Sequence, residues 1–466
     1  MIENKTAKEL SEQLFYQKKS VYQKKEVSDI DKAYDYAKGY AAFLDAAKTE
    51  REAVREAIRL ATAKGFVPYN FGDKVKRGGK YYYNNRGKSL YLFTVGEEPL
   101  ESGIRISAAH IDSPRLDLKQ CPLYEEGGMS FFKTHYYGGI RKYQWVATPL
   151  ALHGVVVKKD GTTVEVTVGE DDRDPIFYIN DLLPHLGHEA DRKPMGEAIP
   201  GEKLNILVGS RPFDHSDDKD LIKLNTMVLL NEKYGITEDD FLSAELSVVP
   251  ALKARDIGFD RSLIGAYGHD DRVCAYPALS AIFSCADSKH TLMCVLADKE
   301  ETGSDGNTGM KSDLFLDLIN SLSTTLDADP ALVRANSKCL SADVSAAYDP
   351  NFPDVFETRN TPLLSAGVVL TKFTGSRGKS GTNDASAEYI GWLRAIMEDA
   401  GVVWQAGELG KVDCGGGGTV AKYLAEHNIE TVDLGVPVIS MHAPCEVIAK
   451  VDLYEAYRAF CAFCLA

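Results

Sequence analysis

The sequence predicts an α/β protein in which a doubly wound mixed sheet is interrupted by a mainly antiparallel β insert. Three observations predict this fold. From about residue 253 onward, apolar runs typical of buried strands alternate with helical stretches. Residues 118–252 carry shorter β-like runs with hairpin signals. Helix and strand patterns also precede that segment, so residues 1–117 and 253–466 are predicted to form one split domain around the insert.

The bulk composition is that of an acidic globular protein. The chain has 466 residues, of which 44% are hydrophobic and 26% charged, enough for two or three domains with substantial cores. A formal net charge of -15 argues against nucleic acid or an anionic membrane as partner, because both would be repelled. The sequence shows no signal-peptide pattern and no apolar span of about 18 residues, and its nine cysteines have no regular spacing, so we expect a cytoplasmic protein with reduced thiols.

Two helices and a hairpin are predicted near the N-terminus. Ser28 and Thr49 each precede an acidic residue by three positions, which is a helix N-cap pattern, and apolar residues recur at helical spacing after them. Strands are predicted at residues 80–83 and 89–95, joined by a turn rich in Asn and Gly.

The insert is predicted to contain short antiparallel strands and one long loop. Strands are predicted at residues 145–152, 154–157 and 163–168, and the last two are joined by residues 158–161, which end in the hairpin signal Asp-Gly. Residues 180–211 carry several prolines and no clear period, which indicates a long loop, and such loops usually have a function.

The C-terminal part alternates strands and helices. The predicted elements are a helix after Asp270-Asp271, a strand running into Glu300, a helix at 312–323, a strand running into Asp343, a strand at 364–373, a helix at 385–399 and a final helix from Asp452.

Four predicted strands end in a possible metal ligand. The ends are His110, Glu300-Glu301, Asp343 and His442, and a further acidic pair, Asp270-Asp271, opens a helix. A single residue of this kind is usually a solvated loop residue. In open α/β sheets, however, bound molecules and ions lie beyond the carboxyl ends of the strands. Four such ends together therefore predict a shared site.

The residue types predict a site for two metal ions. Imidazole and carboxylate ligands without thiolates suit zinc or a similar divalent ion, with a position left open for water. Five side chains are too many for one catalytic zinc and fit two: His110, one of Asp270-Asp271, Glu301, Asp343 and His442. Three carboxylates would then face two divalent ions, and a bridging hydroxide would balance the charge.

Two further acidic residues lie beside these candidates. Glu300 is free to act as a general base that takes a proton from a metal-bridging water and later returns one to the leaving amine; the alternative is a solvated loop carboxylate. Asp112 follows His110 by two residues and is placed to orient that imidazole.

Five short motifs hold all of these candidates. They are Ala109-His110-Ile111-Asp112-Ser113-Pro114, His269-Asp270-Asp271-Arg272, Lys299-Glu300-Glu301-Thr302-Gly303-Ser304, Ser341-Ala342-Asp343 and Met441-His442. In identity and order they resemble the aspartyl aminopeptidase family of dizinc exopeptidases, which includes vacuolar aminopeptidase I, and the resemblance covers nearly the whole chain.

The resemblance implies a zinc-exopeptidase-like fold and a zinc-dependent aminopeptidase acting on peptides. It assigns the roles as follows: His110 and Asp343 hold one Zn²⁺, Glu301 and His442 hold the other, Asp270 bridges them and Glu300 is the general base, with Mn²⁺ or Co²⁺ as possible substitutes. Spacing alone does not separate Asp270 from Asp271.

The resemblance also implies a homo-oligomer. The insert would form dimers that assemble into a dodecamer, in which one histidine from a neighbour's insert reaches the substrate. Pro184-His185-Leu186 resembles that position, and His188 is the alternative.

Basic residues near the pocket would determine whether acidic N-terminal residues are preferred. In the glycine-containing segment 375–384, Arg377 or Lys379 could meet a substrate carboxylate. Residues 414–419 are either another substrate loop or a plain turn. The family implies a preference for N-terminal Asp or Glu, and the alternative is neutral or broad specificity.

Other functions fit the sequence less well. Gly378-Lys379-Ser380 ends like a nucleotide-binding P-loop, but Phe373 stands where that motif needs glycine. The segment after His188 does not continue as the zinc motif HExxH, and Cys461 and Cys464 lack the second cysteine pair of a zinc site. A noncatalytic scaffold or cargo protein would be expected to lack a metal ligand or the general base. In this chain all five ligand positions and the position of the base, Glu300, are filled, which disfavours that alternative.

Overall fold

The computed structural model describes residues 5–466. Within this range the helices are α1 (Ala7–Leu14), α2 (Val21–Lys24), α3 (Val27–Ala46), α4 (Glu50–Ala63), α5 (His188–Asp191), α6 (Met195–Ala198), α7 (Leu221–Tyr234), α8 (His269–Ser284), α9 (Leu314–Leu326), α10 (Pro330–Asn336), α11 (Ala387–Asp399), α12 (Ala421–Ala425) and α13 (Lys450–Leu465). The strands are β1 (Val67–Pro68), β2 (Lys80–Asn85), β3 (Ser89–Thr94), β4 (Ile104–His110), β5 (Arg115–Glu126), β6 (Met129–Tyr137), β7 (Leu150–Val157), β8 (Thr163–Val168), β9 (Tyr178–Ile179), β10 (Ile206–Gly209), β11 (Ala244–Pro250), β12 (Arg255–Ile257), β13 (Leu263–Ala266), β14 (Thr291–Ala297), β15 (Lys338–Ser341), β16 (Ser345–Ala346), β17 (Val368–Thr371), β18 (Trp404–Ala406), β19 (Glu430–Gly435), β20 (Pro437–Ile439) and β21 (Glu446–Ala449).

The largest sheet is mixed and has helices on both faces. Its strand order is β1-β2-β3-β14-β4-β15-β19-β17-β18, in which β14, β4, β15 and β19 are parallel to one another and β3 and β17 are antiparallel. Strand β14 is buried because its side chains alternate between two cores: Leu292 and Leu296 share a core with α8 and α13, whereas Met293 and Val295 share one with α9 and α12. The predicted mixed α/β class is confirmed.

The second sheet is antiparallel and runs from β5 to β11, with the order β8-β7-β11-β5-β6-β10-β9. Its residues form a separate core that includes Trp145. Trp145 lies in a turn, so the strand predicted at residues 145–152 begins too early. The hairpin of β7 and β8 is confirmed. The predicted break before Gly154 is wrong, because this glycine (φ 137°) lies inside β7, where a Cβ atom would be 1.9 Å from the carbonyl oxygen of Glu245 in β11.

A third sheet has the order β12-β13-β21-β20-β16 and carries His442 just after β20. Its residues Ile264, Val438 and Ile448 share a core with residues of the large sheet. Three of the four ligand-bearing strands therefore belong to the large sheet, and the fourth belongs to a separate sheet.

One of the two predicted helix starts is correct. The Thr49 hydroxyl accepts the N–H of Glu52, whose side chain in turn accepts the N–H of Thr49. The prediction at Ser28 is wrong, because α3 begins at Val27 and Ser28 lies in its first turn.

Among residues 5–466, none of the helices combines the length and apolarity that crossing a bilayer requires.

Candidate metal centre

Neighbouring parallel strands bring candidate ligands to one edge of the large sheet. Strand β4 ends at His110, which pairs in register with Ala297 at the end of β14. The chain after β14 forms the 3₁₀ turn Glu300–Thr302, and Asp343 follows β15 by two residues. Because the carboxyl ends of parallel strands meet at one edge, these side chains face a common crevice.

Asp270 lies between two histidines. Its Oδ1 is 3.1 Å from His110 Nε2, and its Oδ2 is 3.1 Å from His442 Nε2. The N–H of Asp270 donates to Glu446 Oε2 (3.0 Å), and the N–H of His442 donates to Glu446 Oε1 (2.7 Å). The buried Glu446 carboxylate thus fixes the backbone of two candidate ligands from different elements.

The candidate ligands form two groups that share Asp270. One contains His110, Asp270 and Asp343, and the other contains Asp270, Glu301 and His442. Within each group, one ligand atom per residue lies within 4.8 Å of the others. This arrangement, with a carboxylate common to both groups, is the one that two neighbouring ions require.

The donor atoms fit zinc. Asp270 Oδ1 and Glu301 Oε1 are buried and accept no hydrogen bond, which is costly for a carboxylate unless a cation neutralises it. Imidazole and carboxylate donors are those that catalytic zinc sites use. Asp271, which spacing alone could not separate from Asp270, lies outside both groups and is buried beside Cys274.

The carboxylates concentrate negative charge around the histidines. Burial lowers the pKa of His110, but the neighbouring carboxylates of Asp112 and Asp270 outweigh burial and raise this pKa well above its usual range. Burial also lowers the pKa of His442, yet Asp270 and Glu301 raise it to about 10. A site that attracts protons this strongly also favours a divalent cation.

Asp112 is fully buried behind His110. Its Oδ1 is 3.3 Å, and its main-chain oxygen 3.0 Å, from His110 Nδ1, which leaves Nε2 directed toward Asp270. Its two carboxylate oxygens also accept the N–H groups of Glu300 and Glu301, each at 3.2 Å. Asp112 therefore lies where it can orient the imidazole, and it also holds the turn that carries both glutamates.

Glu300 lies beside the two ligand groups and belongs to neither. Its Oε2 is 3.9 Å from His110 Nε2, and 19% of its side chain is exposed. Burial raises the pKa of Glu300, and the carboxylates of Asp270 and Asp112 raise it further. A partly exposed carboxyl with a raised pKa suits proton transfer.

A cavity of about 310 Å³ opens onto both groups. Its lining includes Glu300, Asp343, His442, Thr371, Leu409, Met441 and the glycines 416–418. The segment 414–419 thus lies partly along the cavity. No lysine or arginine lines the cavity in the part of the chain that the structure describes.

The two basic residues predicted to bind substrate lie outside this lining. Arg377 and Lys379 are exposed. The Lys379 ammonium is 2.8 Å from Asp384 Oδ2 and lies 3.8 Å from the centre of the Phe373 ring. The charge of Lys379 is therefore already paired within its own loop.

The two candidate histidines of the insert are exposed on the single chain. His185 lies in the 3₁₀ turn Pro184–Leu186, and His188 begins α5. The surrounding segment, predicted as a long loop, contains short helical turns and strand β10. Neither histidine lines the cavity.

Three supporting residues are not predicted from the sequence. The Tyr137 hydroxyl donates to Asp112 Oδ2 at 2.7 Å, and the Gly139 carbonyl oxygen is 2.7 Å from His442 Nδ1. Glu446 is the third. The available signals are two glycines directly after Tyr137 and an acidic residue four positions after His442, and neither is specific.

Comparisons with known proteins agree on one family. The family model described as aminopeptidase I zinc metalloprotease (M18) matches residues 43–464. The chain is 49% identical over 453 residues to the "Probable M18 family aminopeptidase 1" of Clostridium acetobutylicum, covering 96% of this chain and 97% of that protein. The crystal structure of an M18-family aminopeptidase from Thermotoga maritima has a TM-score of 0.91 at 42% identity, covering 96% and 99% of the two chains. The S. cerevesiae mApe1 dodecamer shares the fold, with a TM-score of 0.76 at 21% identity and coverage of 92% and 96%.

Proposed function

This chain belongs to the M18 family of aminopeptidase I zinc metalloproteases, and from this premise we propose that it removes the N-terminal residue of peptides at a two-zinc centre. Membership makes the protein an aminopeptidase and a zinc metalloprotease. The observation that carries the proposal for two ions is Asp270, whose two oxygens each lie 3.1 Å from a different histidine.

The two ligand groups support the following assignment. His110 and Asp343 would hold one Zn²⁺, Glu301 and His442 would hold the other, and Asp270 would contact both. When bound, two divalent ions polarise the scissile carbonyl group and increase the acidity of a water molecule. Mn²⁺ and Co²⁺ are possible substitutes because they accept the same imidazole and carboxylate donors.

Glu300 is the proposed general base. Its carboxylate takes a proton from the attacking water as the water oxygen bonds to the carbonyl carbon of the first peptide bond. The protonated Glu300 then donates this proton to the amide nitrogen as the C–N bond breaks, so the shortened peptide leaves as an amine. The raised pKa of Glu300 favours the second transfer, and Asp112 keeps His110 and the Glu300 turn in position.

Among the described residues, the cavity lining has no lysine or arginine that could pair with an acidic N-terminal side chain. The acidic preference implied by the family needs a cation beside the substrate side chain, and the predicted ones are Arg377 and Lys379. Both lie outside the cavity lining, and Lys379 is paired with Asp384. Apolar and hydroxyl side chains such as Leu409, Met441 and Thr371 line the cavity, together with Asp433 and the carboxylates of the metal centre. We therefore favour neutral or broad specificity over a preference for Asp or Glu.

The proposal extends to assembly and location. We propose that the segment 118–252 forms dimers and that these build a homo-oligomer, with the S. cerevesiae mApe1 dodecamer as the supporting example. In such an assembly His185 would contact substrate in a neighbouring subunit. The lack of regular cysteine spacing suits a cytoplasmic enzyme acting on peptides, and the net charge of -15 disfavours nucleic acid and anionic membranes as partners.

A panel of aminoacyl substrates tests this function. The purified protein is assayed on N-terminal Leu, Ala, Lys, Asp and Glu substrates with Zn²⁺, Mn²⁺ or Co²⁺ present. We expect Leu to be cleaved faster than Asp or Glu. Faster cleavage of Asp or Glu would restore the acidic preference, and inactivity on every substrate with every metal would refute the function.

A further inference from the structure

The hydroxyl of Tyr137 reaches the centre from a different sheet. Tyr137 is the last residue of β6, and its hydroxyl donates to Asp112 Oδ2 at 2.7 Å. The other contacts of the Asp112 carboxylate are longer and come from the centre itself: His110 Nδ1 at 3.3 Å, and the N–H groups of Glu300 and Glu301 at 3.2 Å. Hydrogen bonds to a buried carboxylate are strong, so Tyr137 is the closest anchor that holds Asp112 from outside.

The Tyr137 ring is held independently of its hydroxyl. Tyr137 pairs in register with Arg115 across β5 and β6, and the Arg115 guanidinium lies 4.0 Å from the centre of the ring. Arg115 is itself fixed by Glu50 at 3.1 Å and by Asp117 at 2.8 Å. Replacing Tyr137 by Phe therefore removes one hydrogen bond and leaves the ring packed.

The same segment also contacts the other ligand group. The Gly139 carbonyl oxygen is 2.7 Å from His442 Nδ1. Gly138 has a φ of +73°, and a Cβ atom there would be 3.2 Å from Glu301 Oε2. Residues 137–139, at and just after the end of β6, thus contact Asp112, which holds His110, and the ligand group that contains Glu301 and His442.

We propose that Tyr137 is a positioning residue for the reaction. Its hydroxyl fixes Asp112, and Asp112 fixes the turn that places the Glu300 carboxylate beside the ligand groups. This inference rests on the proposed role of Glu300. His110 keeps a second Nδ1 partner, the main-chain oxygen of Asp112 at 3.0 Å. Asp112 also holds the N–H of Glu301, but the Glu301 side chain belongs to a ligand group and would stay tied to the metal, whereas Glu300 has no such tie. Loss of the hydroxyl should therefore disturb Glu300 more than it disturbs metal binding.

Steady-state kinetics of Tyr137→Phe provide the first test. We expect kcat to fall between about 10-fold and 100-fold, the usual range for a residue that supports a metal site, with KM within about twofold and the metal content unchanged. The matched control is Tyr234→Phe, which also removes a tyrosine hydroxyl from the segment 118–252. There the hydroxyl donates to the Thr167 carbonyl oxygen at 3.2 Å, and the control should retain wild-type kinetics.

Amide hydrogen exchange gives a second readout that does not depend on activity. The Glu300 and Glu301 N–H groups are the donors to Asp112, so Tyr137→Phe should speed exchange in a peptide covering residues 298–304 at least about threefold. Tyr234→Phe should leave that peptide unchanged.

A double-mutant cycle separates positioning from general structural damage. In an Asp112→Ala background, which removes both acceptor oxygens, the further change Tyr137→Phe should lower kcat by less than about twofold, because its route to Glu300 is already lost. A wild-type kcat for Tyr137→Phe, an equal loss in both backgrounds, or a loss of metal that accounts for the inactivity would overturn the proposal. If wild type and Tyr234→Phe cleave no substrate, the proposed function fails instead, and the exchange rates still decide the role of Tyr137.

Discussion

Replacing Glu300 by Gln distinguishes the roles of two adjacent glutamates. The change keeps the side-chain size and removes the ability to accept a proton. Glu300 belongs to neither ligand group, so Glu300→Gln should keep two metal ions per chain, whereas Glu301→Gln should lose metal. Removing a general base lowers kcat by about 10²- to 10⁴-fold. Because 19% of the Glu300 side chain is exposed, solvent can take over part of the transfer, and we expect a loss of about 10³-fold, equivalent to about 4 kcal/mol.

The assay combines kcat and KM on a leucyl substrate with metal analysis of each purified variant. Glu426→Gln is the matched control, since Glu426 is exposed at the end of α12, and it should behave as wild type. Wild-type turnover by Glu300→Gln would refute the role of Glu300 as the base. Metal loss equal to that of Glu301→Gln would show that Glu300 is a ligand instead.

Two further predictions concern histidines of the segment 118–252. Burial lowers the pKa of His153, but hydrogen bonds to Glu170 (3.1 Å) and Glu52 (2.8 Å) outweigh burial and raise this pKa. The two ion pairs therefore stabilise the fold fully below the ordinary histidine pKa of about 6.5, and their stabilisation is lost as pH rises through the raised pKa. His153→Gln should therefore lower Tm more near pH 6 than near pH 9, and an equal loss at both would contradict the assignment. His185→Ala should lower kcat/KM at least about tenfold without removing zinc, because its proposed role is in a neighbouring subunit's site; an unchanged rate would move the role to His188 or to neither histidine.

Local sequence patterns predict the ends of the central strands well. The run from Leu292 to Ala297 is apolar throughout, which in a doubly wound sheet marks a strand buried on both faces, and β14 covers it. The same reasoning places His110 at the end of β4 and Asp343 just after β15, the parallel neighbour of β4. Thr49 is also predictable because a capping box depends on residues only three positions apart.

Features that depend on distant partners are not predictable in this way. The strand before His442 is predictable, but its sheet is not: β20 has three residues and joins a separate sheet through pairing with β21 and β16, which no local pattern indicates. The strand predicted at residues 364–373 covers only Val368–Thr371, because the N–H groups of Ser365 and Gly367 donate to Asp452 in α13 and not to a neighbouring strand. The contact of Tyr137 with Asp112 is equally non-local.

The most direct test of the central claim is anomalous diffraction at the zinc edge from crystals of the zinc-loaded protein. We expect two peaks, one between His110 and Asp343 and one between His442 and Glu301, with Asp270 within coordination distance of both. A single peak, or two peaks of which one lies away from Asp270, would contradict that claim.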